Sequence, residues 1–442
     1  MKNILHPARI VVLLFALAIL AGTAILMLPL ARASGEAAPL MVAFFTSVSA
    51  ICVTGLVVVD TGSYWSGFGQ AAIMALFQLG GFGMMTAATL LGLMVNRSSR
   101  LRTRLITQTE TRSLGMGDIA SVARVVFAVT VILQLVIAGM LLARMVFGHG
   151  LGWQEAAWSA LFHAVSAFNN AGFSLHADSL TRYAGDAMML VPVMVAIVVG
   201  GIGFPVLHDL RHRLRDPRHW SLHTKLTLVG TAALLAGGCV AILLFEWNNA
   251  ATLGGLPIAD RLLNGMFISV AARTAGFNTV DFSALAPESW ALHYLLMFIG
   301  GGSAGTAGGV KVGTVMILVM LVIAEARGHT DTEAFGRRVA VSAQRQAVTV
   351  LVLGSVIVAF GTVALLGISH FPLDRVIFEV VAAFGSTGLS TGITAELPVA
   401  GQLVLTALMF IGRVGTITLA TSLVLGERRM PYRYPEDHPI VG

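Results

Sequence analysis

Ala50-Ile-Cys-Val-Thr-Gly-Leu56 is the first of four short stretches that decide the fold of this chain. The other three share its form, with a glycine five residues after an alanine and a bulky apolar residue after the glycine: Ala167-Phe-Asn-Asn-Ala-Gly-Phe173, Ala271-Ala-Arg-Thr-Ala-Gly-Phe277 and Ala383-Phe-Gly-Ser-Thr-Gly-Leu389. Their glycines lie about a quarter of the chain apart. This recurrence predicts four internal repeats of one structural unit.

Each of these stretches ends an apolar segment of only about 12 residues, such as Leu40 to Ile51, which is too short to cross a bilayer. A segment of this length favours a re-entrant helix. The corresponding segments are Ala157 to Phe168, Leu262 to Ala272 and Val376 to Phe384. Longer apolar runs flank them and predict eight transmembrane helices starting near residues 9, 68, 122, 186, 225, 289, 346 and 401.

The predicted fold class is an all-α integral membrane protein, with four linked repeats of helix, re-entrant pore loop and helix in pseudo-fourfold symmetry around a central pore. A second marker recurs in the second helix of each repeat, at Gly80 to Gly83, Gly200 to Gly203, Gly302 to Gly305 and Gly412 to Gly415. The repeats are predicted to span residues 1–110, 111–220, 221–335 and 336–442, the last including a cytoplasmic C-terminal tail.

The composition excludes an ordinary soluble protein, because only 11% of the 442 residues are charged and 56% are hydrophobic, whereas soluble domains have about 25% charged residues. The net charge of +6 does not indicate nucleic-acid binding, since the arginines concentrate in particular connections. By the positive-inside rule these connections and both termini are cytoplasmic. The basic clusters are Arg97 to Arg112, Arg211 to Arg218, Arg327 to Arg345 and Arg428 to Arg433.

The third repeat differs from the others, because Gly300-Gly-Gly-Ser-Ala-Gly-Thr-Ala-Gly-Gly309 interrupts its second helix before Lys311. Each glycine costs a helix about 1 kcal/mol relative to alanine, and irregular backbone at membrane depth is tolerated where it is buried in protein or lines water. We therefore expect a loop beneath the pore. Arg413, matched in the other repeats by Gly81, Gly201 and Ser303, is a charged residue in a membrane segment and hence a functional candidate.

Four glycine-containing loops suit the passage of a cation, because backbone carbonyls can replace the hydration water of an ion. Glycine allows these carbonyls to face a common axis without an obstructing side chain, and the C-terminal ends of short helices favour positive charge. No hydrolase or zinc-protease motif is present, and the sequence indicates no enzyme. A secondary transporter with inverted repeats and a membrane scaffold or enzyme are the alternatives.

The four stretches, the loop from Gly300 to Lys311 and Arg413 resemble the Trk, Ktr and HKT superfamily of potassium transporters, and most of all the membrane subunit of bacterial Ktr-type uptake systems. The resemblance covers nearly the whole chain. It implies a potassium-selective filter formed by Val53, Thr54, Gly55, Asn170, Ala171, Gly172, Thr274, Ala275, Gly276, Ser386, Thr387 and Gly388. Asn169 and Asn170 also have side chains that could hold the second loop, and the sequence leaves both roles open.

The resemblance further implies a gate beneath this filter, formed by Gly302, Ser303, Ala304, Gly305, Thr306, Lys311 and Arg413. It implies uptake across a bacterial cytoplasmic membrane by a multi-pass protein without a cofactor of its own. The implied partners are a second copy in a homodimer, the lipid bilayer and a separate cytosolic ring of nucleotide-binding regulatory subunits (KtrA-like). The sequence leaves open whether sodium stimulates transport.

Overall fold

A computed structural model describes residues 7–83, 85, 116–415 and 435 of the protein. The arginine cluster predicted between residues 97 and 112 and the predicted cytoplasmic tail beyond residue 415 lie outside these residues, apart from residue 435. The described chain is predominantly helical, and its only sheet is a two-residue hairpin of β1 (Glu333–Ala334) and β2 (Arg337–Arg338). This agrees with the predicted all-α class.

The helices repeat one order four times: a first helix, a shorter helix that leads into a loop, and a second helix. The first two repeats contain α1 (Pro7–Leu26), α2 (Leu40–Ile51), α3 (Thr61–Tyr64), α4 (67–83), α5 (Met116–His149), α6 (Trp153–Asn169), α7 (Ala187–Ile202) and α8 (Phe204–Arg213). The last two contain α9 (Leu222–Glu246), α10 (Ile258–Ala271), α11 (Pro287–Phe298), α12 (Val312–Ala326), α13 (Val341–Ile368), α14 (Leu373–Gly385) and α15 (Val399–Phe410).

Short helical turns complete the architecture. One π-helical turn, Ile411–Gly415, continues α15 and contains Arg413. The 3₁₀ turns are Pro29–Ala31, Thr181–Tyr183, Pro217–His219, Phe282–Ala284 and Ile393–Glu396. The eight helix starts predicted from the sequence each lie within six residues of an observed start.

Three of the described helices are long and apolar enough to cross a membrane by length and composition, namely residues Arg124–His149 of α5, α9 and α13. The pair α7 and α8 also passes when taken together, although the two helices meet at an angle of 100°. The predicted number of eight spans stays a prediction, because residues 84, 86–115 and 416–434 lie outside the residues that the structure describes.

The short helices α2, α6, α10 and α14 form the centre of the protein and the long helices surround them. Long helices expose large apolar side chains, such as Leu17 on α1 and Phe360 on α13, which are 61% and 73% exposed. In contrast, every residue of α14 from Phe378 to Gly385 is buried. This distribution suits a bilayer, because lipid tails are as apolar as leucine and accept such side chains without cost.

Successive repeats pack in a closed ring, with the second helix of each against the short helix of the next. Helix α4 meets α6 through the rings of Phe77 and Phe162, 5.6 Å apart. Helix α7 packs against α10, α11 against α14, and α15 against α2. The last of these contacts joins the fourth repeat to the first, so the four short helices point their ends at one common centre.

Candidate functional site

The four loops that follow the short helices share one backbone conformation. The residue two before each glycine is left-handed, at Val53 (φ 55°), Asn170 (φ 56°), Thr274 (φ 68°) and Ser386 (φ 52°). The glycines themselves have φ of 87°, 70°, 75° and 81° for Gly55, Gly172, Gly276 and Gly388. A left-handed conformation in a residue other than glycine costs about 1–2 kcal/mol. Because it recurs at the same position in all four loops, the surrounding fold must impose it.

The glycines of successive repeats lie against one another in a ring. A Cβ atom added to Gly55 would lie under 3.0 Å from the carbonyl oxygen of Ala171 in the second repeat. The corresponding neighbour is Ala275 O for Gly172 (3.1 Å), Thr387 O for Gly276 (2.5 Å) and Thr54 O for Gly388, again under 3.0 Å. Each glycine therefore admits the carbonyl oxygen of the next repeat, in the order one, two, three, four and back to one.

All four glycines line a cavity of about 210 Å³, together with polar groups such as Asp60, Ser174 and His176. Burial lowers the pKa of His176, and the charge of Arg182 lowers it further, which favours a neutral imidazole at this mouth. Three buried hydroxyl oxygens of the loops, Thr54 Oγ1, Ser386 Oγ and Thr387 Oγ1, have no hydrogen-bond partner among the described residues. The site thus combines backbone carbonyls with unpaired hydroxyl oxygens, and oxygen ligands of this kind suit a cation.

The two asparagines of the second loop hold neighbouring elements. Asn169 Nδ2 donates to Val165 O (2.8 Å) and to Gln78 Oε1 (2.6 Å) on α4. The side-chain amide of Asn170 lies 3.3 Å from Thr274 Oγ1 in the third loop and 3.3 Å from Thr306 Oγ1. Asn170 thus connects two of the predicted filter loops and the glycine-rich segment.

The glycine-rich segment of the third repeat forms an irregular loop from residue 299 to residue 311, between α11 and α12. Its two ends pair, because Gly300 N donates to Val310 O (2.8 Å) and Val310 N donates to Phe298 O (3.1 Å). Its first half packs on the end of α7, where Gly302 N donates to Gly201 O (2.8 Å). A Cβ on Gly305 would lie 2.5 Å from the same Gly201 oxygen, so close packing requires glycine there.

The second half of this loop lies directly against the filter loops. Thr306 Oγ1 donates to Phe168 O (3.2 Å) at the end of α6. A Cβ on Gly308 would lie 2.5 Å from Ser386 Cβ and 2.6 Å from Gly385 O in the fourth repeat. The loop therefore contacts the ends of the short helices α6 and α14, in the second and fourth repeats.

A buried cation and a half-buried cation bind the tip of this loop, residues 306–308. Arg413 is fully buried and its Nη1 donates to Thr306 O. Lys311 Nζ donates to Ala307 O and, at 3.3 Å, to Gly308 O. Of the residues predicted to form a gate, Thr306 and Lys311 thus meet Arg413 at the tip, and Gly302, Gly305 and the Thr306 backbone pack on α7. Ser303 and Ala304 lie in the first half, with Ala304 left-handed (φ 61°) and its carbonyl accepting from Phe204 N (3.3 Å).

Two charged residues near the loops were missed by the sequence reasoning. Glu379 on α14 is fully buried and accepts hydrogen bonds from Ser390 Oγ (2.6 Å), Thr391 N (2.9 Å) and Thr394 Oγ1 (2.6 Å) in the segment after the fourth glycine. Arg273 in the third loop donates from Nη2 to Gly300 O (3.0 Å). In both cases the available signal was a charged residue inside an apolar stretch.

Comparison with known proteins assigns this arrangement to a family. Residues 6–429 match the TrkH family of cation transport proteins. A Ktr system potassium uptake protein B from Bacillus subtilis (strain 168) is 38% identical over 438 residues, covering 99% of this chain and 97% of that protein. A potassium/sodium uptake protein, NtpJ, from Enterococcus hirae is 34% identical over 446 residues, covering 99% of this chain and 98% of that protein.

A solved structure supports the fold. The crystal structure of the potassium transporter TrkH from Vibrio parahaemolyticus superposes with a TM-score of 0.72, covering 93% of this chain and 83% of that one at 19% sequence identity. The fold is thus that of a transporter built from apolar helices. The protein belongs to the TrkH family of cation transport proteins, whose members are membrane transporters and not enzymes.

Proposed function

We propose that this protein takes up potassium across a bacterial cytoplasmic membrane through the ring of four loops. The observation that carries the proposal is the closed arrangement of Gly55, Gly172, Gly276 and Gly388, each against a carbonyl oxygen of the next repeat. Relatives named as potassium uptake proteins support the choice of ion. The name of the Enterococcus relative includes sodium, so sodium is the second ion to test, either as cargo or as a stimulant.

In this proposal a potassium ion exchanges its hydration water for the carbonyl oxygens of the four predicted filter loops. The short helices end at these loops, and the negative ends of their dipoles stabilise the ion there. The unpaired hydroxyls of Thr54 and Thr387 supply further oxygens. Selectivity is then a property of backbone geometry, which is why each repeat needs a glycine where the next carbonyl approaches.

Passage below the ring is controlled by the glycine-rich loop in this account. The loop contacts the ends of the short helices of the second and fourth repeats, and Arg413 binds its tip at Thr306 O. Two cations at the tip also oppose the entry of another cation by Coulomb repulsion. Movement of the loop of residues 300 to 310 against Arg413 opens the pathway.

Regulation and assembly belong to the same proposal. Two copies of the chain form a homodimer that rests on a cytosolic ring of nucleotide-binding subunits, with both termini in the cytoplasm. Basic residues of the connection after α8, which include Arg215 and Arg218 and are exposed, support this orientation by the positive-inside rule. The four-repeat division at residues 110, 220 and 335 is part of the proposal.

Potassium uptake with sodium as competitor, in cells that lack their own potassium systems, tests the proposed function. The parent chain should restore uptake, and Gly55→Ser should weaken it or shift it toward sodium, because a Cβ there meets Ala171 O. Gly35→Ser is the matched control, since Gly35 also has positive φ (75°) but nothing lies within 4 Å of its added Cβ. Unchanged uptake by Gly55→Ser would contradict the carbonyl filter.

A further inference from the structure

Arg273 occupies an unusual place for a cation, within the third predicted filter loop. It directly precedes the left-handed Thr274 and is only 6% exposed. Its Nη2 donates to the carbonyl oxygen of Gly300, 3.0 Å away and 27 residues later in the chain. One side chain thus joins the filter loop to the start of the glycine-rich loop.

The two ends of the glycine-rich loop meet at Gly300, Gly301, Val310 and Val312, and we call these four residues the neck. Gly300 N donates to Val310 O (2.8 Å), and Val312 N donates to Gly301 O (3.0 Å). The added Cβ of Gly300 would lie within 3.0 Å of Gly308 O, so the neck is tightly closed. A contact to the Gly300 carbonyl therefore fixes the base from which the whole loop extends.

The burial of Arg273 is not offset by a carboxylate. None of the ion pairs between the described residues includes Arg273, and its Nε has no hydrogen-bond partner among them. The nearby C-terminus of α10, which ends at Ala271, provides a partial negative charge. An isolated buried cation is costly, so its contact with the neck is the feature that accounts for its position.

Arg273 and Arg413 hold different parts of the loop. Arg413 binds Thr306 O at the tip, and Arg273 binds Gly300 O at the neck. The tip contact comes from the end of α15, whereas the neck contact comes from a filter loop itself. Release of the tip therefore leaves the neck attached to the filter.

We propose that Arg273 is a positioning residue that couples the third filter loop to the neck of the glycine-rich loop. The expected change in ion selectivity rests on the proposed function, whereas the expected displacement of the glycine-rich loop does not. The planar guanidinium fixes the direction of its hydrogen bonds. Displacement of the neck therefore shifts the backbone next to Thr274 through this hydrogen bond. Loss of the hydrogen bond in turn leaves the neck free to move.

The test compares Arg273→Gln with Arg273→Lys and measures two quantities. The first is cytoplasmic thiol labelling of the half-buried position 303 in a Ser303→Cys, Cys239→Ser background, where the remaining Cys52 is buried. The second is the preference of uptake for potassium over sodium. A hydrogen bond from a charged donor is worth about tenfold or more in an equilibrium constant. We therefore expect Arg273→Gln to raise the labelling rate about tenfold and to lower the ion preference by a similar factor, with partial recovery in Arg273→Lys.

Arg261→Gln is the matched control, because Arg261 lies on α10, the short helix that leads into the third loop, and donates to the carbonyls of Trp247, Gly254 and Leu256, away from the glycine-rich loop. It should reduce the amount of folded protein without changing labelling or ion preference. Unchanged labelling in folded Arg273→Gln protein would overturn the coupling, as would equal effects from Arg261→Gln. Thiol labelling needs no transport, so it tests the coupling even if the parent chain carries a different ion.

If Arg273→Gln does not fold, the Arg273→Lys variant decides the question. A labelling rate unchanged from the parent in Arg273→Lys overturns the proposal.

Discussion

In the proposed function, the ring of glycines has an outer side, formed by the four loops, and an inner side, where the second helices end, and these two sides differ in symmetry. On the outer side, the four loops have nearly the same backbone, with left-handed residues of φ 52° to 68° followed by glycines of φ 70° to 87°. On the inner side, no two of the last three second helices end alike. Helix α7 bends by 100° into α8, α11 gives way to the loop of residues 299–311, and α15 ends in a π-helical turn.

The contrast between four similar loops and three dissimilar helix ends is what we expect of a chain that both coordinates an ion and controls its passage. Coordination by backbone carbonyls needs equal contributions from several sides, and the four loops share one backbone geometry. Control of a single pathway needs one movable element and one residue to hold it. In the proposed function, the loop of the third repeat and Arg413 of the fourth supply these parts, and similar loops from all four repeats would compete for the same space.

The largest effect is expected from breaking the symmetric side at Gly388. Its φ is 81° and a Cβ would lie under 3.0 Å from Thr54 O, so Gly388→Ala must displace a filter carbonyl. Strain of this kind costs about 1–3 kcal/mol, and we expect potassium uptake to fall about 100-fold. Gly392→Ala is the control in the same repeat, with φ 95° and nothing within 4 Å of the added Cβ. Equal losses from both substitutions would show that positive φ alone, and not the ring, explains the defect.

Among the four glycines of the ring, Gly172 should tolerate an added side chain best. Its added Cβ would lie 3.0 Å from Gly276 Cα and 3.1 Å from Ala275 O, which is less crowded than at the other three glycines. Gly172→Ala should therefore retain measurable uptake, about tenfold above that of Gly388→Ala. Parallel uptake assays at equal protein levels measure this. Greater damage from Gly172→Ala than from Gly388→Ala would contradict the ring geometry.

Breaking the asymmetric side at Arg413 should have the opposite sign. Arg413→Ala removes the donor to Thr306 O, and we expect the maximal rate of uptake to rise up to about tenfold. The preference for potassium over sodium should stay the same, because the four glycines are unchanged. Arg413→Lys keeps a charged donor and should give an intermediate rate. A changed ion preference at a constant rate would contradict the division into an outer filter and an inner gate.

The smallest effect on transport is expected at Glu379, which accepts hydrogen bonds from the segment that follows the fourth glycine. Glu379→Ala leaves the donors of Ser390, Thr391 and Thr394 without their acceptor. Each unsatisfied buried group costs about 1–3 kcal/mol, so the melting temperature of the detergent-purified protein should fall by several degrees. Glu396→Ala, at an exposed site of the same segment, should leave it unchanged. An unaltered melting temperature for Glu379→Ala would mean that these hydrogen bonds do not hold the segment.

Much of this arrangement could be predicted from the sequence, because its repeated parts depend on local backbone demands. The four glycines recur about a quarter of the chain apart, each where it must admit a neighbouring carbonyl, and the glycine-rich stretch before Lys311 is incompatible with a helix. Arg413 was identified because charge is rare in such segments. These signals need no knowledge of which residues meet in space.

The remaining features depend on contacts between distant parts of the chain. The left-handed conformation of Val53 has no sequence signal, since a β-branched residue disfavours it. The contact of Arg273 with Gly300 and that of Arg413 with Thr306 join residues 27 and 107 positions apart. The sequence also gives no sign that Gly302, Gly305 and Thr306 pack on the end of α7. Periodicity and composition carry no information on such pairings.

The most direct test of the central claim is to locate the ion. A crystal structure of the protein with thallium in place of potassium would give an anomalous signal at each bound ion. We predict a peak on the axis of the ring, within coordinating distance of the carbonyl oxygens of Thr54, Ala171, Ala275 and Thr387. Peaks found only at other sites, with none inside the ring, would contradict the account.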